Sequence, residues 1–264
     1  DKPLVATLEN PELNDYYRSM LKAFYSVLKS ANDYVHVSFL TGVTKFSKVS
    51  IFSDLNNLFD ISFVPEYSSI CGITEEELLS NFATEIETLA LQYNKSNKEM
   101  TDILRAKYDG YRFSEKEERI YNPFSLVNVF EKKRLGDYWF ESGTPSFMVK
   151  VLENHAVKIE DFEGNIPLDI REMDAYRMDY GNLPPFLFQA GYLTIKRCED
   201  LGYGRFRLGF PNDEVKYAFL DRLMKIYTSA CLGMKEPFYI GRFLESMKAG
   251  DMDDVLNLIK ALMA

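Results

Sequence analysis

The first forty residues place a helix pattern directly before a strand pattern, and this order limits the folds open to them. Pro11 follows a capping Asn, and apolar residues then recur over 13–28 at the spacing of one helix face. We expect a helix over about residues 11–30. Residues 34–40 are short, β-branched and aromatic and stop at a polar Thr-Gly turn, which is typical of a buried strand entering a loop. Helix then strand predicts an α/β layer.

The rest of the chain reads as mainly helical, with one hairpin. Thr74 is followed by three glutamates, which predicts a capped helix start. Two strands are expected at about 191–196 and 205–210 on either side of a glycine-containing turn, with a long helix over 213–230 after them. Helix, hairpin and helix resemble a winged-helix arrangement over about 184–230. Further helices are predicted at 98–106, 124–133, 144–152, 238–249 and 251–263.

Composition and charge limit the classes of molecule that this chain can bind. The 264 residues carry a net charge of -9, and the largest basic cluster is Lys132-Lys133-Arg134, so nucleic acid and anionic membranes are poor partners, whereas a protein partner is not excluded. No stretch reaches the ~20 apolar residues that a bilayer span needs. Cys71, Cys198 and Cys231 are far apart, which fits a reducing cytoplasm and cysteines in or near the core.

The motifs of common catalytic sites are missing or out of context. None of the fourteen glycines is followed by Lys, so the chain has no phosphate-binding loop. His36 and His155 lack a metal-ligand spacing, and no metal site or catalytic residue is predicted. The triplet Glu214-Val215-Lys216 matches part of a PD-(D/E)xK nuclease site. It falls in a predicted helix, where a solvated helix face is the better interpretation.

Several segments in order resemble the bacterial AAA-ATPase-like proteins. The first three are DKPL at 1–4, FLTGVTKFS at 39–47 followed by IFSDLNNL, and KYDGYRF at 107–113. The similarity continues through YNPFSL at 121–126, WFESGTP at 139–145, QAGYLTI at 189–195 and FPNDEV at 210–215. Because the order is kept over nearly the whole chain, the resemblance is more than one short motif.

The resemblance implies a nucleotide site of which one part would lie before residue 1 and the other part within this chain. In such proteins a Walker A loop and an acidic Walker B strand hold ATP and Mg²⁺, and Asp1 matches the tail of the Walker B run. The resemblance also implies that the strand ending at Thr41 is a sensor strand, with Thr41, Thr44 and Lys45 as nucleotide-sensing candidates. The alternative is that Thr41 only ends a strand in a turn and that Lys45 is solvated.

The predicted fold is therefore an α/β remnant of a P-loop ATPase core over 1–70, followed over 71–264 by a mainly α, winged-helix-like α+β lid. The chain reads as a fragment that begins just after the Walker B pair and does not hydrolyse ATP alone. Many relatives carry a PD-(D/E)xK nuclease-like domain at the C-terminus. A non-enzymatic winged-helix module that binds a protein, or less readily DNA, is the alternative function.

Overall fold

The computed structural model of the chain describes residues 3–4, 7, 10–31, 33–42, 58–141, 159–175, 183–200, 204–228, 242–243, 245–247 and 249–263. Two apolar clusters organise this part of the chain, one among helices and one on a small sheet. No helix within these ranges is long and apolar enough to cross a membrane.

The first helix, α1, spans Pro11–Ser30, as predicted. Asn10 caps it, because its side-chain oxygen accepts a hydrogen bond from the Leu13 backbone N–H at 3.0 Å. Of the α1 side chains that the structure describes, Asn14 alone is buried. The apolar residues of α1 are therefore at or near the surface.

The predicted strand over 34–40 is wrong. Residues 33–42 are irregular, and the side chains of Tyr34 and Val37 are 91% and 84% exposed. Within the described ranges no strand pairs with this segment, and a lone strand leaves its backbone groups to water. His36, placed on the same strand from its sequence, is exposed as well.

The helical cluster is built from α2 (Glu75–Asn81), α3 (Ala83–Gln92), α4 (Asn97–Tyr108), α5 (Pro123–Lys132) and the short α6 (Tyr138–Glu141). A 3-10 helix, Pro65–Tyr67, precedes them. Capping boxes begin α2 and α4, and Asn122 caps α5. The cluster's fully or nearly buried residues are Leu78, Ile86, Leu89, Ala90, Met100, Leu104, Tyr108, Tyr121, Leu126, Val129 and Tyr138.

The sheet region contains a 3-10 helix (Ile159–Phe162), β1 (Glu163–Asp169), α7 (Ile170–Ala175), α8 (Leu183–Gln189), β2 (Thr194–Asp200) and β3 (Arg205–Gly209). The strands are antiparallel in the order β1-β3-β2, with Leu168 opposite Phe206 and Ile195 opposite Leu208. The predicted hairpin is confirmed, whereas β1 was not predicted. Outside the sheet, two isolated antiparallel bridges join Tyr121 to Ile73 and Ile120 to Tyr111.

Helices α9 (Asp213–Thr228) and α10 (Met252–Met263) follow the sheet in the sequence, close to their predicted positions. Helix α9 contacts α4 and α6 and so joins the sheet region to the helical cluster. The helix predicted over 144–152 lies outside the described residues. Of the helix predicted over 238–249, residues 242–243, 245–247 and 249 are described, and they are helical, as predicted. Cys71 is exposed rather than in the core, Cys198 is half-buried, and Cys231 is not among the described residues.

Candidate functional site

The structure describes one of the four residues with a predicted link to nucleotide. Thr41 is exposed at the end of the irregular segment 33–42. Asp1, Thr44 and Lys45 lie outside the described residues, so the geometry among the four is not defined. The sensor role of Thr41 stays a prediction.

The KYDGYRF stretch at 107–113, called here the junction segment, connects the two apolar clusters. Tyr108 belongs to the helical cluster and Tyr111 to the sheet cluster, and both are buried. Gly110 between them has φ +107, and a Cβ there would overlap the Pro211 carbonyl oxygen. Glycine is required because the two backbones touch here.

The first turns of the junction segment are tied to the loop that leads into α6. The Tyr108 hydroxyl donates to the Gly136 carbonyl at 2.9 Å and accepts from the Gly136 N–H at 3.1 Å. Lys107 pairs with Asp137 at 2.5 Å. Burial raises the pKa of the Tyr108 hydroxyl, so this tyrosine is a neutral donor and acceptor at physiological pH.

Arg112 holds the other end of the junction segment against β2. Its buried guanidinium donates from Nε to the Lys116 carbonyl at 2.8 Å and to the Ser114 carbonyl at 3.1 Å, and it contacts Cys198 Sγ at 3.2 Å. Its backbone exchanges two bonds with Thr194 Oγ1, of 2.6 and 3.0 Å. Arg112 therefore organises a loop and a strand end, and its donors are used internally.

Glu214, in the first turn of α9, is completely buried. Its Oε2 accepts from Ser125 Oγ at 2.7 Å and its Oε1 from the Trp139 backbone N–H at 3.0 Å, so one carboxyl joins α9 to α5 and α6. Burial raises the pKa of Glu214 to about 7, with Asp137 adding to the rise and the two hydrogen bonds opposing it.

The interpretation of the Glu214-Val215-Lys216 triplet as a solvated helix face is wrong for its first two residues. Val215 and Ala218 are buried with Glu214, and a helical projection puts all three on one side of α9. That spacing was the signal in the sequence for a buried carboxyl. Lys216 does reach the surface, where it pairs with Glu163 at 2.5 Å.

Two more polar groups are buried where the junction segment meets α9. Asp109 Oδ1 and Asn212 Nδ2 are buried atoms without a hydrogen-bond partner among the described residues. Burial is also the main reason that the pKa of Asp109 is raised. Unsatisfied buried groups are costly, so they mark positions where a ligand or a bound water could add a bond.

Within the described ranges, no group of three or more His, Cys, Asp or Glu side chains is arranged to hold a metal ion. The polar groups of the junction segment and of Glu214 lie between the two apolar clusters and connect them by hydrogen bonds.

Comparison with known proteins gives two matches. The chain is 35% identical over 269 residues to an uncharacterised protein in the vnfD 5' region of Azotobacter chroococcum mcd 1. The alignment covers all of this chain and 48% of that protein, so the chain spans about half the length of the curated relative it matches. No solved structure matches the chain. The model of the AAA-ATPase-like family, described as a predicted AAA-ATPase, matches residues 1–52.

Proposed function

We propose that this chain is the nucleotide-sensing and lid part of an AAA-ATPase-like protein whose ATP- and Mg²⁺-binding half precedes residue 1. The family match over residues 1–52 and the greater length of the curated relative support this. In the proposal, Asp1 ends the Walker B strand and Thr41 senses the γ-phosphate, with Thr44 and Lys45 beside it. The chain by itself does not hydrolyse ATP.

The observation that carries the proposal is the exposed apolar stripe on α1. Tyr16, Met20, Phe24 and Val27 follow one another at helical spacing and are all exposed, Phe24 to 70%. The exposed aromatic and β-branched residues of 33–42 come directly after it. Contiguous exposed apolar surface of this kind marks an interface. The occupant is the upstream ATPase half, since the stripe lies within the stretch that matches the family model.

The sheet region is the winged-helix-like part of the lid in this proposal, and it binds protein rather than DNA. Helices α7 and α8 stand between β1 and β2, as in winged-helix units. Helix α8 takes the place of a recognition helix, but its sequence is LPPFLFQ and Pro185, Phe186, Leu187 and Phe188 are buried. A buried apolar helix has no side chains to offer to base edges. The protein acts in the cytoplasm.

Turnover assays test the nucleotide role. This chain alone releases no phosphate from Mg-ATP. In a longer protein that includes the upstream half, Thr41→Val lowers ATP turnover at least about tenfold. Thr88→Val is the control: it makes the same substitution in α3, where the Thr88 hydroxyl bonds only to the Thr84 carbonyl, and it leaves ATP turnover unchanged. Hydrolysis by this chain alone, or equal turnover of the two variants, contradicts the proposal.

Binding of duplex DNA tests the alternative function, a winged-helix module that binds DNA. Fluorescence anisotropy with labelled duplex DNA at about 150 mM salt gives no binding, because the chain carries a net charge of -9. Tight binding under these conditions would favour the DNA-binding module instead.

A further inference from the structure

Helices α9 and α6 are connected through one buried carboxyl group. Glu214 Oε2 accepts a hydrogen bond from Ser125 Oγ at 2.7 Å, and Oε1 accepts one from the Trp139 backbone N–H at 3.0 Å. Among the described residues, the donors to this carboxyl are neutral, and the whole of Glu214 is buried. The ionised form of a carboxyl that is removed from bulk water and bonded only to neutral donors is unfavourable.

The charged groups around Glu214 do not compensate for its burial. Lys107, at the end of α4, favours the carboxylate, but it pairs with Asp137 at 2.5 Å, and Asp137 disfavours the carboxylate. Tyr108 and Tyr111 also interact with Glu214, and burial raises the pKa of both hydroxyls, so neither is charged at neutral pH. Burial therefore has the largest influence on the protonation of Glu214.

Helix α6 is one turn long, so tertiary contacts hold it in place. Tyr138 packs in the helical cluster, and the half-buried Trp139 packs edge-to-face on Tyr192 at a ring distance of 5.1 Å. The bond to Glu214 satisfies a backbone N–H of the first turn, which has no acceptor within a helix. Such a short element can separate from its neighbours at a lower free energy than a long packed helix can.

We propose that the contact between Glu214 and α6 is a pH-dependent switch. While Glu214 carries a proton, α6 stays bound to α9. When the proton is lost, α6 separates from α9, so that water reaches the carboxylate and Trp139 moves away from Tyr192. The rest of the fold stays intact. The inference does not depend on the proposed ATPase role.

The direction of the switch follows from the two proton affinities of Glu214. In the bound form the pKa is about 7, whereas in the separated form the carboxyl is solvated and has its ordinary value of 4.5. The bound form therefore holds the proton more tightly, and rising pH favours the separated form. Between pH 5 and pH 7 the equilibrium shifts towards separation by about fortyfold.

Tryptophan fluorescence tests the switch directly, because Trp139 is the only tryptophan in the chain. As the pH is raised from about 6 to about 9, the emission maximum of wild type moves to longer wavelength, since water reaches the indole. Glu214→Gln has no proton to lose and shows no such transition. Glu131→Gln, at an exposed carboxyl of α5, keeps the wild-type transition. A constant wild-type spectrum, or the same transition in Glu214→Gln, overturns the proposal.

Amide hydrogen exchange of wild type distinguishes local separation from global unfolding without a variant. The Trp139 amide has a lower protection factor than the Leu104 amide in the middle of α4, and it loses about fortyfold of its protection between pH 5 and pH 7. Far-ultraviolet circular dichroism stays constant over the fluorescence transition. Equal protection factors for the two amides, or a loss of helical signal together with the fluorescence change, would mean that only global unfolding exposes Glu214 and would contradict the switch.

Discussion

Helices α1 and α4 have equally clear signals in the sequence but opposite surroundings in the structure. Both have a side-chain N-cap and an apolar face at helical spacing. Helix α4 buries Met100, Leu104 and Tyr108, whereas the apolar residues of α1 are partly or fully exposed. A cap and a periodic face thus define where a helix forms, but not what covers it.

The difference has a physical cause in the neighbours of each helix. Helix α4 runs directly into the junction segment, which is fixed on both sides by Tyr108 and Arg112. Helix α1 is followed by the exposed segment 33–42. If the α1 stripe is an interface, changes in the two helices should affect stability very differently, and four experiments measure this.

The largest effect is expected at the end of α4. Gly110→Ala places a Cβ on the Pro211 carbonyl oxygen at a left-handed φ, so the free energy of unfolding falls by about 4 kcal/mol. Gly250→Ala is the matched control, since Gly250 also has a positive φ but an open surrounding, and it costs about 1 kcal/mol. Urea unfolding measures both. Equal losses would mean that the contact between the two backbones has no role.

The second test compares the apolar faces directly. Leu104→Ala leaves a cavity in the helical cluster and lowers the free energy of unfolding by about 3 kcal/mol. Phe24→Ala, on the exposed stripe of α1, changes it by less than about 0.5 kcal/mol in this chain. A loss above about 2 kcal/mol for Phe24→Ala would show that α1 is packed and would break the comparison.

The third test uses pH, to which the packed region should respond through Glu214. Its folded-state pKa of about 7 is above its ordinary value of 4.5, so the folded state binds the proton more tightly and loses stability as pH rises. Between pH 5 and pH 7 this contribution falls by about 2 kcal/mol. Glu214→Gln removes it, while Glu12→Gln, in the first turn of α1, leaves the wild-type slope. Denaturant titrations at several pH values measure these slopes. If the free energy of unfolding had the same pH dependence in Glu214→Gln and in wild type, Glu214 would not have a raised pKa in the folded state.

The smallest effect on stability is expected from removal of the helix caps, which distinguishes helix formation from packing of the helix. Ser96→Ala removes the capping box of α4 and lowers the free energy of unfolding by about 1 kcal/mol. Asn10→Ala removes the cap of α1 and reduces helical circular dichroism without moving the unfolding midpoint. A shifted midpoint for Asn10→Ala would couple α1 to the rest of the fold.

The sequence predicted features that depend on neighbouring residues along the chain. The α1 start, the Thr74 cap and the β2–β3 hairpin follow from short-range signals and are confirmed. The strand over 34–40 failed because strand formation needs a partner, which no local pattern supplies. Burial of Glu214 depends on Ser125 and on the Trp139 backbone N–H, far away in sequence, so the triplet pattern was misleading.

The placement of two tyrosines three residues apart has a consequence for unfolding. Tyr108 is in one apolar cluster and Tyr111 in the other, so one turn of backbone at Gly110 runs directly from one core into the other, beside the contacts of α9. Unfolding of either cluster would separate this turn from Pro211 and expose the other cluster to solvent. The two regions should therefore exchange their most protected amide hydrogens at a common rate, as one cooperative unit, while the amides of α1 exchange by independent local opening.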